Sequence, residues 1–309
     1  MSATDLVERA LKGERPAIAR LISLVEDGGA DLGAVMQAIY PHTGSAYSIG
    51  ITGAPGAGKS TLTEQIVGRA RREGHKVGVL AIDPSSPFSG GALLGDRVRM
   101  QSHATDADVF IRSMATRGHL GGISLATPEA MRVLDAVGKD IVIIETVGVG
   151  QAEVEITDAC DTTIVVVNPG WGDAVQAAKA GLMEIADVFV VNKADRTGAK
   201  EAVRELKQML DMSDADWRPE VVETVATKGE GIDELWAAIA KHRDYQESNG
   251  LLDARRRRRV EREIREIVAE RYRQRVESEA ADLLARVTDE VSTRKLDPYT
   301  AADRLMDSL

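Results

Sequence analysis

Short apolar runs alternate with amphipathic stretches between residues 46 and 243. The runs are rich in valine and isoleucine, which suits strands covered on both faces of a parallel sheet. The stretches between them space apolar residues three or four apart, as helices do. The predicted strands are residues 47–52, 77–82, 109–112, 141–144, 163–167, 188–191 and 221–225. This alternation predicts an α/β fold, with a mostly parallel sheet flanked by helices.

Both ends of the chain lack strand-like runs and show helical spacing instead. Residues 1–45 are predicted to form a helical extension that packs on the sheet domain of residues 46–245. Residues 246–309 are predicted to form a second helical extension, with Val260, Ile264, Ile267 and Tyr272 as an apolar stripe. We expect this stripe to be buried against a second copy of the chain.

An arginine run at 255–259 opens the pattern of the last helical region. Such a run can bind nucleic acid. Acidic residues follow it at Glu261, Glu263, Glu266 and Glu270, so a solvated helix with ion pairs one turn apart is the favoured interpretation.

Composition narrows the class of protein. The chain has 309 residues, 43% apolar residues and a formal charge of -10, which favours a globular fold and argues against a general nucleic-acid partner. Cys160 is the only cysteine, so no internal disulfide can form, and a reducing compartment is expected. No apolar stretch is long enough for a membrane span. The sequence therefore predicts a cytoplasmic protein with no membrane and no nucleic-acid partner.

A phosphate-binding loop follows the first predicted strand. Residues 53–60 read G-A-P-G-A-G-K-S, the P-loop pattern of a strand–loop–helix unit. Glycines allow backbone N–H groups to surround phosphate oxygens, and the following helix adds its positive end. Lys59 is the predicted cation for the β- and γ-phosphates, and Ser60 is a predicted Mg²⁺ ligand. The predicted phosphate-binding residues are Gly53, Ala54, Pro55, Gly56, Ala57, Gly58, Lys59, Ser60 and Thr61.

A second motif indicates which base is bound. Asn192, Lys193 and Asp195 lie directly after the apolar run 188–191 in an N-K-x-D pattern. The Asp195 carboxylate can accept hydrogen bonds from guanine N1–H and from its exocyclic amine, whereas adenine offers no such pair. The sequence therefore predicts GTP and GDP as ligands. Val225, Ala226 and Thr227 follow the next run and are predicted to contact the base through backbone atoms.

Acidic residues that follow two other apolar runs are predicted to bind Mg²⁺. Asp83 and Glu145 each follow an apolar run, at the edge where ligands of parallel sheets bind. Mg²⁺ prefers oxygen ligands and water, so both are candidates, and Asp96 in a glycine-rich stretch is a third. Each of the first two carboxylates could instead cap a turn. Gly148 is predicted to contact the γ-phosphate through its N–H.

One loop holds a candidate catalytic cation. Asp173, Gln176 and Lys179 follow a segment broken by proline and glycine, and their spacing by three places them on one helix face. Lys179 is predicted to stabilise the charge that develops during phosphoryl transfer. A solvent-facing lysine is the alternative.

Together these strings resemble the MeaB/ArgK family of P-loop GTPases, which are associated with cobalamin-dependent acyl-CoA mutases such as methylmalonyl-CoA mutase. The strings are residues 51–60, 83–86, 94–97, 145–151 and 192–195. E-T-V-G-V-G-Q at 145–151 is the most specific, because ordinary GTPases lack it. Two departures stand out: Glu145 replaces the aspartate of signalling GTPases, and 225–227 replaces a Ser-Gly common in relatives.

The resemblance implies a homodimer joined by the C-terminal helices. It also implies a GTP-hydrolysing chaperone that gates cofactor loading into the mutase and protects it from inactivation. A metallochaperone GTPase is an alternative, although such proteins carry Cys/His clusters and this chain has one cysteine and five histidines. A kinase linked to amino-acid transport, an older family label, is the other alternative.

Overall fold

The protein is described here from a computed structural model. It describes residues 3–29, 31–83, 101–103, 105–115, 126–146, 152–170, 184–213 and 215–309. These residues divide into two compact units, Met1–Arg255 and Arg256–Leu309. The domain boundaries predicted at 45/46 and 245/246 stay predictions.

The first unit is built on a sheet of seven parallel strands, in the order β3-β2-β4-β1-β5-β6-β7. The strands are β1 (Tyr47–Gly53), β2 (Val77–Asp83), β3 (Val109–Ala115), β4 (Ile141–Thr146), β5 (Thr162–Val167), β6 (Val188–Asn192) and β7 (Glu220–Thr224). Every predicted strand is present, and the α/β class is confirmed. Ends differ by a few residues: β3 runs on to Ala115, and β7 ends at Thr224 instead of residue 225.

Helices cover both faces of the sheet. The helices of the described chain are α1 (Ala3–Leu11), α2 (Arg15–Asp27), α3 (Leu32–Ile39), α4 (Lys59–Arg72), α5 (Ala126–Ala136), α6 (Ala152–Ala159), α7 (Ala199–Leu210), α8 (Ile232–Ser248), α9 (Leu251–Glu279), α10 (Ala281–Ser292) and α11 (Pro298–Asp307). Helices α4 and α8 share one apolar core with alternate residues of the central strands. Helices α1–α3, α5 and α6 pack on the other face of β2–β4, and α7 packs on that face of β5 and β6.

Aspartates hold the start of several strands at the amino edge of the sheet. Asp161 accepts a hydrogen bond from the backbone N–H of Ser48 at 3.0 Å, and Asp187 accepts one from Thr163 at 2.7 Å. The carboxylate of Asp140 likewise accepts a hydrogen bond from the backbone N–H of Lys76. Backbone donors at this edge would otherwise lack strand partners, so these carboxylates satisfy them inside the fold.

A buried polar chain continues from Asp187. The Tyr47 hydroxyl lies 2.6 Å from Thr162 Oγ1, which lies 2.8 Å from His242 Nδ1. His242 Nε2 lies 3.3 Å from the Asp187 carboxylate. Arg255 completes the chain, with its NH1 3.1 Å from Asp187. This set of five side chains is called the amino-edge network below.

Burial and neighbouring charges set the protonation of this network. Burial lowers the pKa of His242, with Arg255 acting in the same direction and Asp187 and Asp161 opposing it. His242 is therefore the neutral imidazole, which accepts at Nδ1 and donates to Asp187 from Nε2. Burial also raises the pKa of Tyr47, so its hydroxyl stays protonated.

The second unit is helical and comprises most of α9 with α10 and α11. Helix α9 carries ion pairs one turn apart, such as Arg265 with Glu261 at 2.6 Å, as predicted for the acidic and basic stretch. Arg255 departs from the expected solvated run, because it is largely buried in the amino-edge network of the first unit. Ile264 and Val268 are 56% and 61% exposed. No helix in the described ranges is long and apolar enough to span a membrane.

Candidate nucleotide-binding site

The predicted phosphate loop joins the end of β1 to the start of α4. Two of its glycines are required by their surroundings. Gly53 has a φ of 130°, and a Cβ there would lie 2.0 Å from the carbonyl oxygen of Val166 on β5. Gly58 has a φ of 93°, and a Cβ would lie 2.4 Å from Asn192 Nδ2. The loop therefore packs against its neighbours at distances that any side chain would prevent.

The start of α4 is arranged for an anion. Gly58 provides no side-chain cap, so the first-turn N–H groups of the helix are left to other acceptors. Lys59 is 6% exposed, and its ammonium donates to the carbonyl oxygens of Gly53 at 2.8 Å and Ala54 at 2.9 Å. A buried cation, a helix N-terminus and a glycine-rich turn thus converge on one loop, which is the arrangement expected for phosphate.

Ser60 and Glu145 are brought together by adjacent strands. In the register of β1 with β4, Ile51 pairs with Glu145, so the carboxylate lies beside the strand that leads into the loop. The Ser60 hydroxyl donates to Glu145 Oε1 at 2.5 Å, and both residues are buried. One residue further on, Thr146 Oγ1 donates to Thr52 Oγ1 at 3.0 Å. This threonine pair fixes the two strand ends next to each other.

The remaining metal and switch candidates are described in part or not at all. Asp83 ends β2, which pairs with β4 up to Ile82 and Thr146, so its backbone lies at the correct edge of the sheet. The Asp83 side chain lies outside the described residues, as do Asp96, Gly148 and Lys179. Their roles stay predictions.

Asn192 ties the predicted base loop to the phosphate loop. It is 2% exposed, and its Nδ2 donates to the carbonyl oxygen of Ala57 at 2.8 Å. Its Oδ1 accepts from Thr224 Oγ1 and from the N–H of Ala226, both at 3.1 Å. One side chain therefore holds three segments at the carboxyl edge.

Lys193 and Asp195 lie in the turn predicted to read the base. Lys193 has a φ of 58°, a conformation that turns the chain sharply after β6, and its Nζ donates to the carbonyl oxygen of Gly56 at 2.6 Å. The N–H of Ala194 donates to Thr224 at 3.0 Å. The carboxylate of Asp195 is 45% exposed and lies 3.5 Å from the ammonium of Lys228. The turn thus presents an accessible carboxylate on a fixed backbone.

Val225, Ala226 and Thr227 directly follow β7, and Ala226 joins this segment to Asn192. Ala226 opens a short 3₁₀ turn, Ala226–Lys228, which ends at Gly229. Its N–H donates to Asn192 Oδ1 at 3.1 Å, which fastens this turn to the end of β6, and the backbone contacts of 225–227 with the base stay predictions. The N–H of Lys228 is likewise bonded to the carbonyl oxygen of Val225 at 2.8 Å.

Three contacts of this site were missed by motif reasoning. The hydroxyl of Thr224, the Thr52–Thr146 pair and the ammonium of Lys228 all support predicted residues. Lys228 directly follows the predicted base loop, so its position in the sequence could have marked it as a candidate contact of that loop. The threonines carry no motif, and only the strand register brings them to their partners.

Comparison with known proteins agrees with this geometry. A family model described as methylmalonyl-CoA mutase-associated GTPase MeaB matches residues 18–281. A Pyrococcus abyssi protein named as a GTPase is 52% identical, over 98% of this chain and 95% of its own. GTPase ArgK of Escherichia coli is 39% identical, over 80% of this chain and 78% of its own.

Two further relatives extend the comparison. The mouse mitochondrial methylmalonic aciduria type A homolog is 36% identical, over 80% of this chain and 64% of its own. A crystal structure described as an LAO/AO transport system kinase aligns with a TM-score of 0.73 and 29% identity, covering 99% of this chain and 96% of that one. The P-loop, the N-K-x-D turn and the family match all agree, and the chain belongs to the MeaB family of P-loop GTPases.

Proposed function

We propose that this chain is a Mg²⁺-dependent, GTP-hydrolysing chaperone of a cobalamin-dependent acyl-CoA mutase, methylmalonyl-CoA mutase or a relative. In this role it gates cofactor loading and protects the mutase from inactivation, acts in the cytoplasm, and works as a homodimer. The observation that carries the nucleotide part is the joining of the phosphate loop and the base turn through Asn192. The family description, which names the mutase, supports the partner.

We infer a role for each part of the site toward the nucleotide, and the described contacts support these roles. Backbone N–H groups of the loop and of the first turn of α4 receive the phosphates, with Lys59 as the cation. Asp195 accepts from guanine N1–H and from the exocyclic amine, and the stem of Lys193 lies over the base. The turn at 225–227 contributes backbone atoms. Its Thr227 N–H is the proposed donor to the base, because the N–H groups of Ala226 and Lys228 are used within the protein.

The donor set at the end of β4 fits Mg²⁺. A buried hydroxyl and a buried carboxylate, Ser60 and Glu145, meet at 2.5 Å, and these are the hard oxygen ligands that the ion prefers. Asp83 and Asp96 are further proposed members of the shell. When bound, Mg²⁺ neutralises charge on the β- and γ-phosphate oxygens. Glutamate is longer than the aspartate of signalling GTPases, and in this protein it reaches the hydroxyl of the loop directly.

The proposed hydrolysis involves no covalent bond between the protein and the phosphate. Water attacks the γ-phosphorus, the bond to the bridging oxygen breaks, and GDP and inorganic phosphate are released. Lys59 stabilises the charge on the phosphoryl group, Gly148 contacts the γ-phosphate through its N–H, and Lys179 is the proposed second cation. A partner that places Lys179 would lower the barrier by about 1.4 kcal/mol for every tenfold gain in rate.

The second unit is the proposed dimerisation arm. Of the predicted stripe on α9, Ile264 is 56% exposed, whereas Val260, Ile267 and Tyr272 are partly buried. Val268, one turn beyond Ile264, is 61% exposed. Apolar residues grouped on one helix face favour burial against a partner. A chain truncated after Arg259 keeps Leu252 and Arg255, which belong to the first unit, and is expected to be a monomer that still binds GTP. Light scattering that finds the full-length chain monomeric at micromolar concentration contradicts this arm.

The mutase partnership is tested by steady-state phosphate release. GTP turnover by the chain alone is expected to be slow, and a cobalamin-dependent acyl-CoA mutase is expected to accelerate it. Lys179→Ala is expected to lose most of that acceleration while GTP affinity is kept. No acceleration by any such mutase counts against the chaperone role, whereas equal acceleration of parent and variant removes only Lys179 from the mechanism.

A metallochaperone and a kinase are the two alternative functions. A metallochaperone would need a metal cluster, and no group of three or more His, Cys, Asp or Glu side chains suited to a metal ion lies in the described residues. A kinase would transfer phosphate to an acceptor, so release of phosphate from GTP in buffer alone distinguishes a GTPase from it.

A further inference from the structure

The two loops proposed to hold the base are joined by an ion pair. Lys228 Nζ, from the 3₁₀ turn after β7, lies 3.5 Å from Asp195 Oδ2, from the turn after β6. In the described part of the chain, Lys228 is the one side chain in ion-pair contact with Asp195. The two side chains are 55% and 45% exposed, so a ligand can reach the carboxylate from solvent.

The backbone on both sides of this pair is already fixed. Ala194 donates to Thr224 at 3.0 Å, and Arg196 donates to Lys193 at 3.0 Å, so the turn that carries Asp195 is closed. Lys228 is held by its N–H bond to Val225, at 2.8 Å. What the backbone leaves open is the rotation of the Asp195 carboxylate about its own side-chain bonds, which the ammonium of Lys228 restricts.

Recognition of both guanine donors depends on how the Asp195 carboxylate is rotated. Both carboxylate oxygens must lie in the plane of the base edge, one facing N1–H and the other facing the exocyclic amine. A carboxylate has about four acceptor positions, so Oδ2 can accept from Lys228 and from the base together. Holding the carboxylate in this orientation before the ligand arrives reduces the entropy lost on binding.

We propose that Lys228 is a positioning residue for base specificity, which orients the Asp195 carboxylate for two-point recognition of guanine. This inference rests on the proposed function, because it assumes that Asp195 reads the base. Lys228 acts through Asp195 and touches no reacting atom. Its contribution is therefore largest for a base that offers both donors and smaller for a base that offers one.

Inosine triphosphate provides the matched ligand, because its base keeps N1–H and lacks the exocyclic amine. Calorimetry of Lys228→Gln is expected to show GTP affinity lowered about two- to fivefold, the range of an exposed ion pair. ITP affinity is expected to fall by a smaller factor, so the preference for GTP over ITP narrows. Lys228→Arg is expected to restore the preference, and Lys228→Gln placed in an Asp195→Ala background is expected to change nothing further.

Lys241→Gln is the control. It removes the lysine of another exposed ion pair, with Glu220 at the start of β7, and gives the same change in net charge away from the base loops. GTP and ITP affinities of this variant are expected to match the parent.

The failures are distinguishable. If the parent prefers GTP to ATP but Lys228→Gln weakens GTP and ITP equally, or weakens neither, the positioning role is overturned and the proposed function stands. If the parent binds ATP as well as GTP, Asp195 does not select the base, and both proposals are overturned.

Discussion

Polar side chains at the two edges of the sheet have different partners. At the carboxyl edge, Lys59, Lys193 and Asn192 each donate to carbonyl oxygens of the phosphate loop. At the amino edge, the amino-edge network bonds mainly to itself and to the starts of strands. The ammonium contacts of Lys59 and Lys193 can be exchanged for contacts with a ligand, whereas Asn192 and the amino-edge network keep buried groups satisfied.

A pair of buried lysines makes this comparison concrete. Lys59 and Lys139 are 6% and 8% exposed, and both donate to backbone carbonyl oxygens. Lys139 bonds to Asp108 at the amino edge, and burial lowers its pKa. In our proposal, the buried Lys59 binds phosphate at one edge while the equally buried Lys139 supports the fold at the other, so removal of the two ammonium groups should affect different properties.

The largest expected effect is on ligand binding. Lys59→Ala is expected to lower GTP affinity about a hundredfold or more, because charge-assisted hydrogen bonds to phosphate are lost. Its thermal midpoint is expected to stay close to that of the parent. Lys139→Ala is the matched variant, with lower stability and unchanged GTP affinity. Titration calorimetry and thermal unfolding of both proteins check the pair, and an interchange of the two phenotypes refutes the comparison.

Asp187 is expected to give the largest loss of stability. Its carboxylate accepts from the N–H of Thr163 and pairs with His242 and Arg255. Asp187→Ala leaves these buried partners unsatisfied and is expected to lower the free energy of unfolding by about 3 kcal/mol. Urea unfolding monitored by tryptophan fluorescence suits the measurement, because the Trp217 ring packs 4.8 Å from His242.

Asp211→Ala serves as the control for Asp187. Asp211 pairs with Arg218, and both side chains are more than half exposed. Its loss is expected to change the free energy of unfolding by less than about 1 kcal/mol. A similar loss of unfolding free energy in both variants would indicate that the amino-edge network stabilises the fold no more than an exposed ion pair does.

A smaller effect is expected from pH. The pKa of folded His242 is lowered by burial, so the unfolded chain binds a proton that the folded chain does not. Stability is therefore fully present above the ordinary histidine pKa of about 6.5 and is lost as pH falls below it, by at most about 1.4 kcal/mol per pH unit. Urea unfolding of the parent and of His242→Gln between pH 8 and pH 5.5 isolates the contribution of His242 to the pH dependence of the free energy of unfolding.

The sign and the site of the pH effect are both testable. The variant is expected to lose less stability on acidification than the parent. Equal slopes for the two proteins would remove His242 from the pH response, and a parent that becomes more stable in acid would contradict the direction.

The fold was largely readable from the sequence, because each strand is an uninterrupted apolar run and each crossover has helical spacing. The strand order was not readable. Neighbours such as β1 and β4 pair across about a hundred residues, and a run of valine and isoleucine does not specify which other run lies beside it. The register that brings Glu145 to Ser60 therefore became visible only in the structure.

The two edges differ in the same respect. Residues of the nucleotide loops are grouped in short motifs, since one turn must present several groups to one ligand. Residues of the amino-edge network stand alone in the chain, with Tyr47, Thr162 and His242 far apart in sequence. No local pattern marks such a set, and the arginine run gave no sign that Arg255 would pair with Asp187 in the first unit.

Base selection by Asp195 is the central claim, and calorimetry of the purified chain tests it most directly. In Mg²⁺ buffer, GTP and GDP are expected to bind at least about a hundredfold more tightly than ATP, because a site built around hydrogen bonds strongly rejects a ligand without the matching donors. Asp195→Asn is expected to reverse the preference toward xanthosine triphosphate. Equal affinity of the parent for ATP and GTP would contradict the account.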